Sequence, residues 1–315
     1  MKKVIVLGAT GGTGMAIVEE LIKREIQTIA FGRSITKLNQ LKQKLGNSEL
    51  LSLQEGNAFD YMSIYEASKE VDVIFQCVSV PYHEMETSQL TLGRAVMTAA
   101  NKLGKKIVFV DGIYPYGKAT KKFVDEEHSK KPHTKKGKIK LELEKLIFSD
   151  QWNGANPVIV RLPDYYGPSA NINSYLGMTI LNISKGKLSS YIGSLNMHRE
   201  YIYLPDAAKM IIELAENQKA YGQNWNIPGN KITGRKLVQL AQTSAAQKKP
   251  VIPLKKTTIK IIGWFSPVMR EMVEMSYLTE TPVFLDGSKY EQHIGPIIQT
   301  PFEIGIHHTI QALKK

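Results

Sequence analysis

Three observations place this chain in the α/β class, as a doubly wound parallel sheet with a smaller C-terminal α/β lobe. Short apolar runs alternate with helical patterns through the first half of the sequence. A glycine-rich turn, G-A-T-G-G-T-G at Gly8–Gly14, directly follows the first of those runs. The 315 residues are 43% hydrophobic, enough for a sizeable core. Runs this short and this apolar suit strands covered on both faces, as in a parallel sheet flanked by helices. Right-handed crossovers then make the sheet doubly wound.

Val4–Leu7 is the first strand. The opening M-K-K-V-I-V-L-G-A-T superficially resembles a signal peptide, but its apolar run is too short, and a glycine turn and Glu19 and Glu20 follow. A cytoplasmic protein is therefore expected. Ile17, Val18, Leu21 and Ile22 mark the first helix, Thr28–Phe31 the second strand, and Leu38, Leu41 and Leu45 the second helix. Leu50–Leu53, Val71–Phe75, Ile107–Val110 and Val158–Val160 continue the strand series. After Pro163 the pattern loosens. A helical stretch is expected near Asn173–Ile183, a strand at R-E-Y-I-Y-L, and a helix over Asp206–Glu216 with Asp206 as its N-cap. Residues 1–163 are then a dinucleotide-binding domain, to which 198–221 returns. Residues 164–197 and 222–315 form the smaller, substrate-side lobe.

The composition excludes several classes. Cys77 is the sole cysteine, so no internal disulfide can form and a reducing compartment is expected. No run of about 18 apolar residues occurs, so no membrane span is expected. The net charge is +12, and nine lysines lie between Lys118 and Lys140 against Asp125, Glu126 and Glu127. That segment reads first as a solvated face, and second as an attraction for an anionic ligand. Nucleic acid is the weakest option, because no interleaved aromatics suit base stacking.

The glycine turn carries the clearest chemistry. Gly8 allows the tight turn, Gly11 lets backbone approach a pyrophosphate, and Gly14 lets the helix pack on the strand. Thr10, Gly12 and Thr13 complete the loop. The anion then sits at a helix N-terminus, where free N–H groups and the dipole favour it. An NAD site places a carboxylate about 20 residues further on, for the ribose 2′-hydroxyl. Here the second strand ends A-F-G-R-S, and Arg33 can bind a 2′-phosphate through its planar fork. NADP is the expected cofactor, with NAD as the alternative.

Further landmarks follow in order. They are G-N-A-F-D at Gly56–Asp60, Lys140 with Glu144, R-L-P-D-Y-Y-G-P at Arg161–Pro168, H-R-E-Y-I-Y-L-P-D-A-A at His198–Ala208, and W-N-I-P-G at Trp225–Gly229. Together these resemble the short-chain dehydrogenase/reductase superfamily, in its extended branch of nucleotide-sugar epimerases and dehydratases. The resemblance implies that Asn57, with Ala58, lies near the adenine. It places Val78 under the cofactor ribose and Pro163 beside the nicotinamide. It also implies a homodimer through helices near Thr87–Asn101 and Lys136–Phe148.

The family's chemistry needs a Tyr-x-x-x-Lys pair and an upstream Ser or Thr. The lysine lies one helical turn from the phenol, helps lower a pKa that is ordinarily about 10, and bonds the ribose. On that pattern Lys140 is the lysine, but Lys136 stands where the tyrosine belongs and Gly112 where the serine belongs. No tyrosine lies between Tyr116 and Tyr165, so a register slip restores nothing. The loop V-D-G-I-Y-P-Y-G offers Asp111 as a displaced base and Tyr114 as a proton donor or substrate contact, with Tyr116 in a packing role. Across the cleft, Tyr165, Tyr166, His198 and Arg199 are candidate substrate contacts, Arg199 for an anionic group. No metal-ligand spacing occurs. The expected function is an NADP-dependent oxidoreductase or epimerase acting on a small carbonyl or sugar-like substrate. The alternative is a non-catalytic NADP-binding sensor or regulatory protein.

Overall fold

Alternation along single strands decides how the layers stack. In the first strand Val4 and Val6 pack into one core, while Ile5 and Leu7 pack into another on the opposite face. The computed structural model describes residues 1–170, 174–264 and 267–314. Its strands are β1 (Lys3–Leu7), β2 (Gln27–Gly32), β3 (Leu51–Glu55), β4 (Val73–Gln76), β5 (Lys106–Gly112), β6 (Asn156–Leu162), β7 (Asp164–Tyr166), β8 (Ser189–Ile192), β9 (His198–Tyr203), β10 (Asn224–Asn226), β11 (Asn230–Thr233) and β12 (Val251–Leu254). Seven of them form one parallel sheet in the order β10-β6-β5-β4-β1-β2-β3. The direction of winding reverses between β1 and β4, and the carboxyl ends there open the crevice where such sheets bind ligands.

Helices cover both faces. On one lie α1 (Gly12–Lys23), α2 (Ile35–Lys44) and, arriving from late in the chain, α7 (Leu204–Glu216). On the other lie α3 (Tyr61–Ser68), α4 (Met85–Leu103) and α5 (Lys135–Ile147). Each buried Val, Leu or Ile in these two layers contributes roughly 1.5–3 kcal/mol relative to exposure. Arg24, the C-cap of α1, ties α7 down by pairing with Glu213 and Glu216, both at 3.7 Å.

The rest of the chain builds a lobe beyond the carboxyl ends of the strands. It contains a three-stranded sheet, β11-β9-β7, and the pair β12-β8. Its helices are α6 (Gly177–Ser184), α8 (Gly234–Ala245), α9 (Lys256–Ile262), α10 (Pro267–Glu274), α11 (Tyr277–Glu280) and α13 (Phe302–Lys314), whereas α12 (Ser288–His293) packs on β10 and α7 of the large sheet through Lys289 and Tyr290. Asn173, where a helix was expected to begin, lies outside the described residues; the helix there starts at Gly177. Two segments cross the expected domain boundary. β10, from the stretch assigned to the lobe, adds the seventh strand to the large sheet, and β9, from the returning stretch, pairs in the lobe's sheet. Asp206 is not an N-cap. The helix begins at Leu204 with Pro205 in its first turn, and the Asp206 carboxylate accepts from the Thr300 N–H (2.6 Å) and hydroxyl (2.9 Å).

Candidate functional site

The glycine turn lies at the switch point. Gly8 has φ +76°, and a Cβ there would stand 2.9 Å from the Val78 backbone nitrogen. A Cβ on Gly14 would stand 2.3 Å from the Gly8 carbonyl oxygen, so only glycine lets α1 approach the strand this closely. The Gly11 N–H donates to the Gly8 carbonyl at 2.9 Å and closes the loop. Thr10 lies in the turn, and Gly12 and Thr13 open α1, whose N-terminus has no side-chain cap and no acidic residue in its first turn. These residues fit a pyrophosphate: the cradle is backbone, and the dipole end is not already neutralised.

The turn's neighbours bring the other cofactor candidates together. Val78, two residues beyond β4, adjoins Gly8, and Asn57 and the buried Ala58 follow β3. The Asn57 side-chain oxygen accepts from the Phe59 N–H at 3.1 Å. Arg33 is exposed beyond β2, and its side chain has no hydrogen-bond or ion-pair partner among the described residues. At the start of α2, Ser34 and Glu55 accept the Lys37 and Ile35 N–H groups. Pro163 is buried between β6 and β7.

Two of the three expected catalytic residues, Lys140 and Asp111, belong to a buried ion network. Lys140 pairs with Asp111 at 2.6 Å. The other Asp111 oxygen takes Arg161 at 3.2 Å, and Arg161, fully buried, also binds Glu144, which Lys130 meets in turn. Burial pushes the Asp111 carboxyl up, but Lys140 and Arg161 outweigh it and hold the pKa below the usual carboxylate range. A carboxylate so held does not accept a proton near neutrality. Tyr116 is buried, with its hydroxyl donating to Asn226 at 2.7 Å.

Lys136 is the residue that the resemblance sets where the family's phenol is expected. It is 2% exposed, and its ammonium binds Glu274 at 2.7 Å and Glu271 more closely, both from α10. Burial opposes the charge, yet the two carboxylates prevail and the pKa is raised, so the group stays an ammonium. Glu274 also accepts the Lys135 N–H at the start of α5. The lysine-rich run is therefore not simply a solvated face. Its inward lysines, Lys130, Lys136 and Lys140, each meet a carboxylate, while the other six are exposed.

Tyr114 lies on the lip with its hydroxyl 2.5 Å from that of Tyr82. Burial pushes the Tyr82 phenol up to about 12, and burial together with Tyr82, Tyr175 and Asp164 raises Tyr114 well above its ordinary value. The opposite wall holds Arg199, 3% exposed, which binds Asp164, donates to the Ile192 carbonyl at 3.2 Å and stacks 4.9 Å from the Tyr175 ring. Tyr165 is half-buried beside Asp164. Tyr166 is core, stacked on Phe302 at 5.4 Å, and His198 is exposed at the start of β9. Sequence reading missed Tyr82, Tyr175, Tyr277, Arg161 and the Glu271–Glu274 pair. The one available signal was R-E-M-V-E, whose glutamates three apart share a helix face.

A cavity of about 410 Å³ lined by Asp72, Lys105 and Glu216 lies at the amino ends of the strands, remote from the glycine turn. Among the described residues no cluster could hold a metal ion, and no helix is long and apolar enough to cross a membrane.

Residues 4–228 match the NAD dependent epimerase/dehydratase family. The chain is 23% identical over 320 residues to a UDP-N-acetyl-alpha-D-glucosaminuronate decarboxylase of Bacillus cytotoxicus, covering 95% of this chain and 97% of that one. It is 30% identical over 82 residues to oxidoreductase aflX of Aspergillus parasiticus, a match spanning 26% of this chain and 31% of that protein. Among solved structures it resembles a UDP-glucuronic acid 4-epimerase of Bacillus cereus in complex with NAD. That likeness has a TM-score of 0.78 and 17% identity, and covers 99% and 100% of the two chains.

Proposed function

This chain belongs to the NAD dependent epimerase/dehydratase family, and on that premise we propose that it transfers hydride between a nicotinamide dinucleotide and a small carbonyl or sugar-like substrate. The observation that carries the reading is the glycine turn at the switch point, with an uncapped helix end facing the crevice. Gly8, Gly11, Gly14 and the first turn of α1 would hold the pyrophosphate. Asn57, Ala58 and Val78 would border the adenosine half, and Pro163 the nicotinamide. Unpartnered Arg33 favours NADP over NAD. The names of the similar proteins support sugar-like substrates and NAD chemistry in the family. A cytoplasmic location and a homodimer through α4 and α5 accompany this reading.

When bound, the cofactor supplies the hydride donor or acceptor. The chain must then place the substrate and move one proton. Tyr114 is the phenol for that step, with Tyr82 as its hydrogen-bond partner. Lys140 and Asp111 hold the loop carrying Tyr114 and take no part in proton exchange. One observation favours a second reading, a non-catalytic cofactor-binding sensor: Lys136, where the resemblance expects the phenol, is held by two glutamates.

The test is an equilibrium titration with NADPH and NADH, followed by cofactor fluorescence, on the wild type and Arg33→Ala. NADPH preference that collapses in the variant, followed by turnover in a carbonyl screen, supports the first reading. Tight binding without turnover supports the second. No binding of either cofactor refutes both.

A further inference from the structure

With the glycine turn read as a dinucleotide site, on which this inference rests, cofactor choice falls to the carboxyl end of β2. A fold of this kind that takes NAD usually places a carboxylate there, which accepts a hydrogen bond from the ribose 2′-hydroxyl. Here β2 ends at Gly32, which has no side chain to offer. A Cβ on Gly32 would stand 3.9 Å from the Thr10 hydroxyl and 3.7 Å from Leu38 of α2. A side chain at that position would therefore project between the glycine turn and α2.

The neighbouring strand supplies a carboxylate on the same face. β3 runs parallel to β2, with Glu55 in register with Gly32, and residues in register share the pleat and project to one side. Glu55 accordingly reaches the start of α2, where its Oε1 accepts the Ile35 N–H at 3.2 Å. Glu55 is exposed, and its other carboxylate oxygen has no hydrogen-bond or ion-pair partner among the described residues. Arg33, one residue beyond Gly32, is exposed and likewise unpartnered. The two charges lie at the same strand ends without neutralising each other, so both remain open to a ligand.

They act on different cofactors. A ribose 2′-hydroxyl donates to a carboxylate. A 2′-phosphate only accepts, is drawn to the Arg33 guanidinium and is repelled by Glu55. Glu55 also occupies an N–H at the start of α2 that would otherwise serve a phosphate. We propose that Glu55 is a specificity-determining residue: from β3 it binds the ribose of NAD in place of an acid on β2, and it limits the preference for NADP that Arg33 confers.

The test is fluorescence titration of NADPH and of NADH into the wild type, Glu55→Gln and Arg33→Ala. Glutamine keeps an oxygen for the Ile35 N–H, so the helix start is preserved and only the charge is lost. Glu55→Gln should tighten NADPH and weaken NADH, raising the ratio of their dissociation constants in favour of NADPH by at least about fivefold. Arg33→Ala should move that ratio the other way. A ratio in Glu55→Gln within about twofold of wild type, or both cofactors shifted alike, overturns the proposal while leaving the dinucleotide site in place. A wild type that binds neither cofactor overturns the proposal and the hydride-transfer reading together.

Discussion

Replacing Lys136 with methionine tests whether the ion triad joins the lobe to the sheet. Methionine keeps most of the length and volume, so packing changes little. What it removes is the ammonium between Glu271 and Glu274. Removing one member of a buried pair costs about 3–5 kcal/mol, because the remaining charge is left without compensation. Here the glutamate side chains are 30% and 25% exposed, so water recovers part of their solvation and about 2–3 kcal/mol is expected. Urea denaturation of the wild type and Lys136→Met reads this directly. Lys136→Met/Glu271→Gln/Glu274→Gln should return to within about 1 kcal/mol of wild type, since no buried charge then lacks a partner. Backbone amides of α10 should exchange faster in the single variant. A single variant within about 0.5 kcal/mol of wild type, or a triple variant no better than the single, would refute the reasoning. Because the Lys136 pKa is raised above 10.5, its contribution is full below that value and is lost only as pH rises through the folded pKa. The difference should therefore be constant between neutrality and mildly alkaline pH.

Tyr114→Phe should lower turnover by roughly 10²–10⁴-fold if this phenol moves the proton, with the NADPH dissociation constant unchanged. Equal turnover in steady-state assays would remove Tyr114 from the mechanism. Acid stability follows from Asp111 and Glu144, whose folded pKa values lie below 3.8 and 4.5 despite burial. Their stabilisation is present above those values and is lost as pH falls through the lower folded ones. The contribution of this pair should hold from neutrality to about pH 5 and be lost below it. Buried Glu200, pushed up to about 8, stabilises increasingly as pH falls from about 8 towards about 5, so denaturation midpoints should peak near about pH 5 and fall below it. Lys140→Met should move that fall to higher pH, which melts across the acid range would detect.

The large sheet was legible because strands covered on both faces carry uninterrupted apolar runs, as in Val4–Leu7 and Ile107–Val110. The turn at Gly8–Gly14 was legible because close approach leaves glycine as the residue that fits. β10 was not. It is three residues, N-W-N, at the sheet edge, and carries no run to detect. Asp206 misled because an aspartate and a proline both signal helix starts, and here Pro205 set the start while Asp206 turned to Thr300. The lysine run is a solvated face for six of its nine members, and Lys130, Lys136 and Lys140 escaped that reading because their counter-charges come from elsewhere. Lys136 meets Glu271 135 positions along the chain, a pairing local pattern cannot reveal.

If the resemblance aligns Lys136 with the family's phenol, the ammonium there belongs to a whole charge system. A tyrosine there would be neutral and would need a free lysine one turn away. This chain has Lys136 buried, two glutamates brought over by α10 to hold it, and Lys140 already committed to Asp111. Lys136→Tyr alone should therefore fail to create a proton relay. The new phenol would face Glu271 and Glu274, both favouring its protonated form. Lys140 could not oppose this while Asp111 holds it. Adding Glu271→Gln, Glu274→Gln and Asp111→Ser removes those three obstacles, and only that combination should raise NADPH-dependent turnover above the single variant. Turnover gained by Lys136→Tyr alone would show that the neighbouring charges do not govern the site, and the structural account of its altered chemistry would fall with it.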